Sequence, residues 1–156
     1  MNKQITTHEA LVKAQNICAK QEKCKADIRK KLYEWKILPE EIEKIINELL
    51  ENKFIDEKRY AGFYVKDKYK LSKWGRIKIE FSLRQKQIEA SIIANALNEI
   101  NEDEYIEILR AELKKKLKSL KNDEKHKVKE KLLRFAQSRG YEIELSITMV
   151  EELLTG

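Results

Sequence analysis

The sequence predicts an all-α protein, three tandem three-helix repeats forming an elongated, curved helical array. Three observations lead there. Four Gly and one Pro in 156 residues are too few breakers for the many tight turns of a sandwich or barrel. Charged residues at 38% and hydrophobic ones at 42% give a helix-rich composition, with apolar residues recurring at intervals of three and four. The pattern also repeats. Shifted by 51 residues, Ile28 falls on Ile79, Leu32 on Leu83, Ile37 on Ile88, Ile42 on Ile93, Ile46 on Leu97 and Leu49 on Ile100. A triplet of about 50 residues buries little by itself, so its stability depends on its neighbours, and an array is favoured over one central core. The units are residues 1–52, 53–101 and 102–156.

In the first unit, Thr7 can cap a helix from about His8 to Gln21, with Ala10, Leu11, Ala14, Ile17 and Cys18 along one face. A second helix, about Lys25 to Glu34, carries Ile28, Leu32 and Trp35 at spacings of four and three. Pro39 suits the first turn of a third helix, where its missing N–H is harmless. Glu40 and Glu41 stand there at the dipole-positive end, and Ile42, Ile45, Ile46, Leu49 and Leu50 form the stripe behind them.

Asp56 caps the fourth helix, whose core face is Tyr60, Ala61, Tyr64, Val65 and Leu71. Trp74 and Gly75 mark a break. The fifth helix runs from about Arg76 to Lys86 on Ile79 and Leu83, with Ile77 and Phe81 as further apolar positions, and a sixth carries Ile92, Ile93, Ala96, Leu97 and Ile100. The third unit starts with about Asp103 to Leu120, on Tyr105, Ile106, Leu109, Leu113 and Leu117. It continues with about Glu124 to Ser138, on Val128, Leu132, Phe135 and Ala136, and turns at Arg139-Gly140-Tyr141. At a shift of 53 from the middle unit, Leu132 answers Ile79, Tyr141 answers Ile88, Val150 answers Leu97 and Leu153 answers Ile100. Ser146 falls where Ile93 calls for an apolar residue. Either the register slips onto Leu145 or Ile147, or this copy packs differently.

Net charge is +6, and the excess sits in the middle: 11 Lys and Arg against 6 Asp and Glu over residues 53–100, near balance on either side. Residues 114–131 add a second block of nine Lys against three acids. Such blocks favour polyanionic partners, nucleic acid above all, although a Lys-rich helix face is often simply solvated. Cys18 and Cys24 form no CxxC pair, and His8 and His126 lie far from both, which argues against a metal site or a disulfide framework and fits a reducing cytosol. The N-terminal stretch has no signal-peptide core, and there is no run of about 18 apolar residues, so no membrane role is expected. No phosphate-cradling GxxxxGK[ST] loop or paired nucleophile and base stands out, so neither an enzyme nor a cofactor is expected.

The stretch FIDEKRYAGFYVKDKY followed by GRIKIEFSLRQKQI resembles the signature middle of the RecX family, bacterial modulators of the RecA recombinase. The residues carrying the likeness are Asp56, the Arg59-Tyr60-Ala61 triplet, Gly75, Arg76, Lys78, Ile79, Leu83 and Arg84-Gln85-Lys86, with Arg139-Gly140-Tyr141 in the third unit. The family is also built of three tandem three-helix units, so the resemblance covers nearly the whole chain. It departs at Arg76, where the family usually has proline. It departs again at Lys36 and Gln87, where the family usually ends the second helix of a unit on glycine, so these positions should strain a left-handed turn or shift the helix end. The resemblance implies a negative regulator that lies along the RecA–DNA filament, binds DNA as well, and restrains strand exchange, ATP hydrolysis and co-protease activity. It implies a cytoplasmic monomer, binding single- and double-stranded DNA without strong sequence specificity.

The candidate DNA- or filament-binding residues are Arg59, Lys66, Lys68, Lys70, Lys73, Arg76, Lys78, Arg84 and Lys86, with Lys127, Lys131, Arg134 and Arg139 in a second region. Arginine clamps phosphate or carboxylate bidentately, which favours Arg59, Arg84 and Arg139, although Arg59 could equally hold a structural ion pair. Tyr64, Tyr69 and Trp74 lie among these cations and could stack on bases, the plainer reading being core; Trp35 falls on an apolar stripe. Reversing the charge of Lys73, Arg76 and Lys78 together is expected to leave helicity intact and weaken filament inhibition. Two other readings remain: a stand-alone helix-turn-helix-like DNA-binding module, which would need polar side chains aimed at base edges, or a protein-binding scaffold with incidental cations.

Overall fold

The computed structural model describes residues 4–156. Among them lie nine helices and no strand: α1 (Thr7–Lys20), α2 (Lys25–Glu34), α3 (Pro39–Glu51), α4 (Glu57–Lys70), α5 (Arg76–Gln85), α6 (Ala90–Asn98), α7 (Glu102–Ser119), α8 (Lys125–Ser138) and α9 (Ile143–Thr155). The helix starts follow from local chemistry. Thr6, in extended backbone, accepts the Glu9 amide at 3.1 Å, so the cap is Thr6 and Thr7 already belongs to the helix. Pro39 opens α3, the Asp56 carboxylate accepts the Arg59 amide at 3.0 Å, and Asn101 accepts the Glu104 amide at 2.9 Å. In α7 the first turn holds Glu102, Asp103 and Glu104 and the last holds Lys116 and Lys118, the arrangement the helix dipole favours.

The second helix of each triplet ends in the same way. After α2, Lys36 takes φ +62°, the Ile37 amide donates back to the Leu32 carbonyl and the Lys36 amide to that of Tyr33. After α5, Gln87 takes φ +62°, with Ile88 donating to Leu83 and Gln87 to Arg84. After α8, Gly140 takes φ +87°, with Tyr141 donating to Ala136 and Gly140 to Gln137. These are Schellman turns, and in each the residue that folds back is buried against the last turn it caps. Lys36 and Gln87 therefore keep the left-handed turn and the helix end does not move.

The described chain separates into two compact units. Unit 1 takes residues up to Phe63 together with Leu83–Ile93, and unit 2 takes Tyr64–Ser82 and Ala94–Gly156, so the middle triplet contributes to both. In unit 1, α3 packs on α1 and α2, and Ala10, Ala14, Ile28, Leu32, Ile45, Ile46 and Leu49 are essentially sealed from water, with Trp35 packed partly against them. In unit 2, α7, α8 and α9 pack on one another around Tyr105, Leu109, Leu113, Leu132, Ala136 and Val150.

The repeat register holds at Ser146, which is fully buried and donates its hydroxyl to the Glu142 carbonyl at 2.8 Å. Its helix supplies the acceptor, so no slip onto Leu145 or Ile147 is needed. Two core expectations, Leu71 and Tyr64, fail locally. Leu71 is 76% exposed, because α4 ends at Lys70 and the helical period no longer governs the next residue. Ile77 and Phe81, four residues apart on α5, are also exposed, while Ile79 and Leu83 take the buried face. Tyr64 is only half buried, its hydroxyl bonded to Ser82, and Tyr69 is buried instead.

A side chain at positive φ is strained, whereas glycine is not. Gln87→Gly and Lys36→Gly should each raise stability, read as a higher urea midpoint, by up to ~1 kcal/mol after the larger unfolded-state entropy of glycine is subtracted. Gly140→Ala should lower it, and an unchanged midpoint in all three variants would mean that these turns do not bear on stability.

Candidate nucleic-acid interface

Within unit 2, the start of α5 meets the end of α8 through bare backbone. The Gly75 amide donates to the Arg139 carbonyl at 2.6 Å and the Ile77 amide to the Gly140 carbonyl at 3.0 Å. The Arg76 amide donates to the Tyr105 hydroxyl at 3.0 Å. The free amides of α5 are thus satisfied by the free carbonyls of α8 and one phenol, and the dipoles of the two helices meet with opposite signs. A Cβ on Gly75 would collide with the Gly140 backbone, and one on Gly140 with the backbone and Cβ of Lys78. Only glycine fits at either place.

A polar knot locks this junction. The Arg76 guanidinium pairs with Glu142 at 2.8 Å and with Glu102, and lies 4.1 Å from the centre of the Tyr105 ring. Tyr105 donates its hydroxyl to Glu142, its ring lies 5.2 Å from that of Tyr141, and the Tyr141 hydroxyl donates to the Lys73 carbonyl at 3.1 Å. Burial, and then the Glu142 carboxylate, push the Tyr105 phenol well above its ordinary pKa, so it stays a donor. Burial works against the charge on Arg76, but hydrogen bonds from Glu142 and Glu102 outweigh it and hold the guanidinium charged.

The predicted cations divide by what they already hold. In unit 1, Arg59 Nε meets Glu22 at 2.5 Å while its terminal nitrogen donates to the Lys53 carbonyl at 3.1 Å, and Lys86 meets Asp27 at 2.8 Å. Arg84 is exposed and has an interaction of its own. In unit 2, Lys70 pairs with Glu104 at 3.2 Å, Lys73 with Glu112 at 3.3 Å, Lys131 with Asp123 at 2.6 Å and Arg134 with Glu130 at 3.6 Å. Lys73 also sits at φ +59°, closing the turn after α4. Lys66, Lys68, Lys78, Lys127 and Arg139 have no acidic partner among the described residues. Exposed pairs such as Arg134–Glu130 exchange readily, whereas Arg76 and Lys73 are tied into the junction.

Three half-buried aromatic rings of unit 2 stand among these cations: Tyr64, with the Lys68 ammonium 5.4 Å from its centre, Trp74 and Phe135. The ammonium groups of Lys68 and Lys78 each lie 4.6 Å from the centre of the Trp74 ring. Phe135, which its apolar spacing assigns to the core, has the Arg139 guanidinium at 4.8 Å and the Lys116 ammonium at 5.7 Å. It lines an open groove of about 350 Å³ with Lys116, Lys131, Arg134 and Ser138. Lys127, Lys131 and Arg134, spaced four and three along α8, continue the same cationic face. Lys66 stands two residues from Lys68 and so leaves α4 on another side.

Other chemistry is sparse. The described residues contain no cluster of three His, Cys, Asp or Glu able to hold a metal ion, and no helix among them is long and apolar enough to cross a membrane. Burial pushes the Cys24 thiol up to about 11, so it stays protonated and unreactive at neutral pH.

Comparison with known proteins gives two matching family models: the second three-helix domain of RecX over residues 56–97 and the third over residues 102–146. A "Regulatory protein RecX" of Clostridium tetani is 44% identical over 102 residues, covering 64% of this chain and 46% of that protein. One of the same name from Prosthecochloris aestuarii is 30% identical over 149 residues, covering 96% of each. The chain spans about half the length of several clostridial relatives that it matches. The crystal structure of RecX from Lactobacillus salivarius superposes with a TM-score of 0.83 at 23% identity, covering 96% of this chain and 97% of that one, and so shares its fold.

Tyr105→Phe removes the acceptor of a buried amide and is expected to lower stability by about 1–3 kcal/mol in urea titration. No loss would mean that water replaces the phenol. In unit 1, burial works to raise the Asp27 pKa, but Lys86 and the Cys24 amide outweigh it and hold it below 3.8. A carboxyl depressed on folding stabilises above its unfolded pKa, and that contribution is lost as pH falls through the folded value. Lys86→Met should therefore melt lower than the parent near neutral pH and converge with it in acid. An offset that stays constant as the melts are carried into acid would exclude the pair as its origin.

Proposed function

This chain belongs to the RecX family, and on that premise we propose that it is a negative regulator of the RecA recombinase. It binds the RecA–DNA filament, and DNA itself, and restrains strand exchange, ATP hydrolysis and co-protease activity in recombinational repair and the SOS response. It works as a monomer in the cytosol, with no chemistry of its own.

The observation that carries this reading is Trp74 with Lys68 and Lys78 at 4.6 Å, all within the matched second three-helix domain. Neither ammonium has an acidic partner among the described residues, so both can neutralise phosphate and release its counterions. Sequence-specific groove reading is less well supported. It needs polar side chains aimed at base edges along the exposed face of α5, and Ile77 and Phe81 hold the first turns of that face, with Arg84 and Gln85 only at its end.

The test is RecA-driven strand exchange and ATPase, with and without the protein, beside salt-titrated binding to random DNA. Lys73 and Arg76 hold the fold together, so the informative variant is Lys68→Glu with Lys78→Glu. Helicity should be unchanged, inhibition weakened, and the salt slope of DNA binding reduced by about 1–2. Inhibition equal to that of the parent overturns this surface, and no effect of the parent on RecA overturns the function.

A further inference from the structure

The two aromatic and cationic clusters of unit 2 are joined. Lys68 and Lys78 face Trp74, and the backbone of Lys78 lies against Gly140 so closely that Gly140 can carry no Cβ. The residue before Gly140 is Arg139, whose carbonyl accepts the Gly75 amide and whose guanidinium lies 4.8 Å from the Phe135 ring. Beyond Phe135 lies the groove of Lys116, Lys131, Arg134 and Ser138. From α4 to α7, cations alternate with accessible rings, and the Gly75–Gly140 contact fixes the order.

We propose that Trp74 and Phe135 are two stacking platforms on one continuous track for single-stranded nucleic acid. The proposal rests on the nucleic-acid half of the function given above and deepens it. A duplex hides the faces of its bases in its own stack, so half-exposed rings are of use only to unstacked bases. Stacking is also tolerant of sequence, because every base offers a π face. Lysine and arginine lie over the rings in the unbound state. When a base takes a ring face, these flexible cations turn outward to the flanking phosphates. Acidic protein segments would satisfy the cations and leave both rings unused.

The experiment uses the full chain and oligodeoxythymidylates of increasing length, with fluorescence anisotropy at fixed salt. Trp74→Leu and Phe135→Leu are compared singly and together, with helicity checked by circular dichroism. On a 25-mer, which spans both platforms, each single variant should lose about five-fold or more in affinity. On oligomers short enough to occupy one platform at a time, each single variant should lose about two-fold, and only the double variant should lose binding. Duplex affinity should move less than two-fold, and polyglutamate of equal charge should compete poorly.

Equal losses on duplex and single strand would reduce the rings to supports of the fold and overturn the proposal. Single-variant losses that do not depend on length would make the platforms two unconnected patches, which also overturns it. Efficient competition by polyglutamate would show that the surface reads charge alone. A parent protein that binds no DNA would overturn the nucleic-acid reading itself, whereas binding that ignores both rings would overturn only the track.

Discussion

The contact between Gly75 and Gly140 is the constraint from which the solvent face of unit 2 follows. Lys78 and Arg139 carry the same charge, so they do not come together by mutual attraction. They are neighbours because two helix ends share hydrogen bonds through backbone that has no room for a side chain. Carbonyls left over at the end of α8 accept amides left over at the start of α5, which stabilises the approach by more than screened repulsion between exposed cations opposes it. The result is concentrated positive charge that an anion relieves. In the proposed function, a polyanion gains here from cations that the fold has already brought together.

Much of the architecture was legible in the sequence because helices and buried stripes obey a period that neighbours do not alter. The matches at shifts of 51 and 53 extend to the turns: Lys36, Gln87 and Gly140 occupy equivalent places and all take positive φ. The sequence suggested strain or a displaced helix end at the first two. The strain is accepted, because the residue that folds back is buried and two carbonyls are satisfied, which outweighs a conformational cost of about 1 kcal/mol. Ser146 was unreadable for a related reason. A hydroxyl that bonds its own helix can occupy an apolar position, and composition does not reveal which serines do so.

The candidate site was far less legible, since a lysine's availability depends on partners distant in sequence. Lys73, Arg76 and Lys78 fall within six residues of one another, yet Glu112 holds the first, Glu102 and Glu142 the second, and no acidic described residue the third. Arg76 also accounts for one departure from the family pattern. Proline would suit the first position of α5 by its φ, but it could not give the amide that Arg76 donates to the Tyr105 hydroxyl. Phe135 was assigned to the core by spacing alone. The one available hint was Arg139, four residues on and therefore on the same helical face.

The division of cations also bounds what charge can do. A lysine that exchanges a carboxylate for a phosphate releases few counterions, because its charge was already compensated. Of the candidate cations, Lys66, Lys68, Lys78, Lys127 and Arg139 enter the electrostatic account in full, and Lys116 of the groove, with no acidic partner among the described residues, joins them. Leaving aside Lys66, which departs on another side of α4, five such contacts contribute roughly 3.5 to the salt slope at about 0.7 per neutralised phosphate on a single strand. On the proposed track, further affinity comes from contacts that salt does not screen, and the half-buried rings of Trp74 and Phe135 are such surfaces. In that proposal the rings hold the strand and the cations bring it into contact.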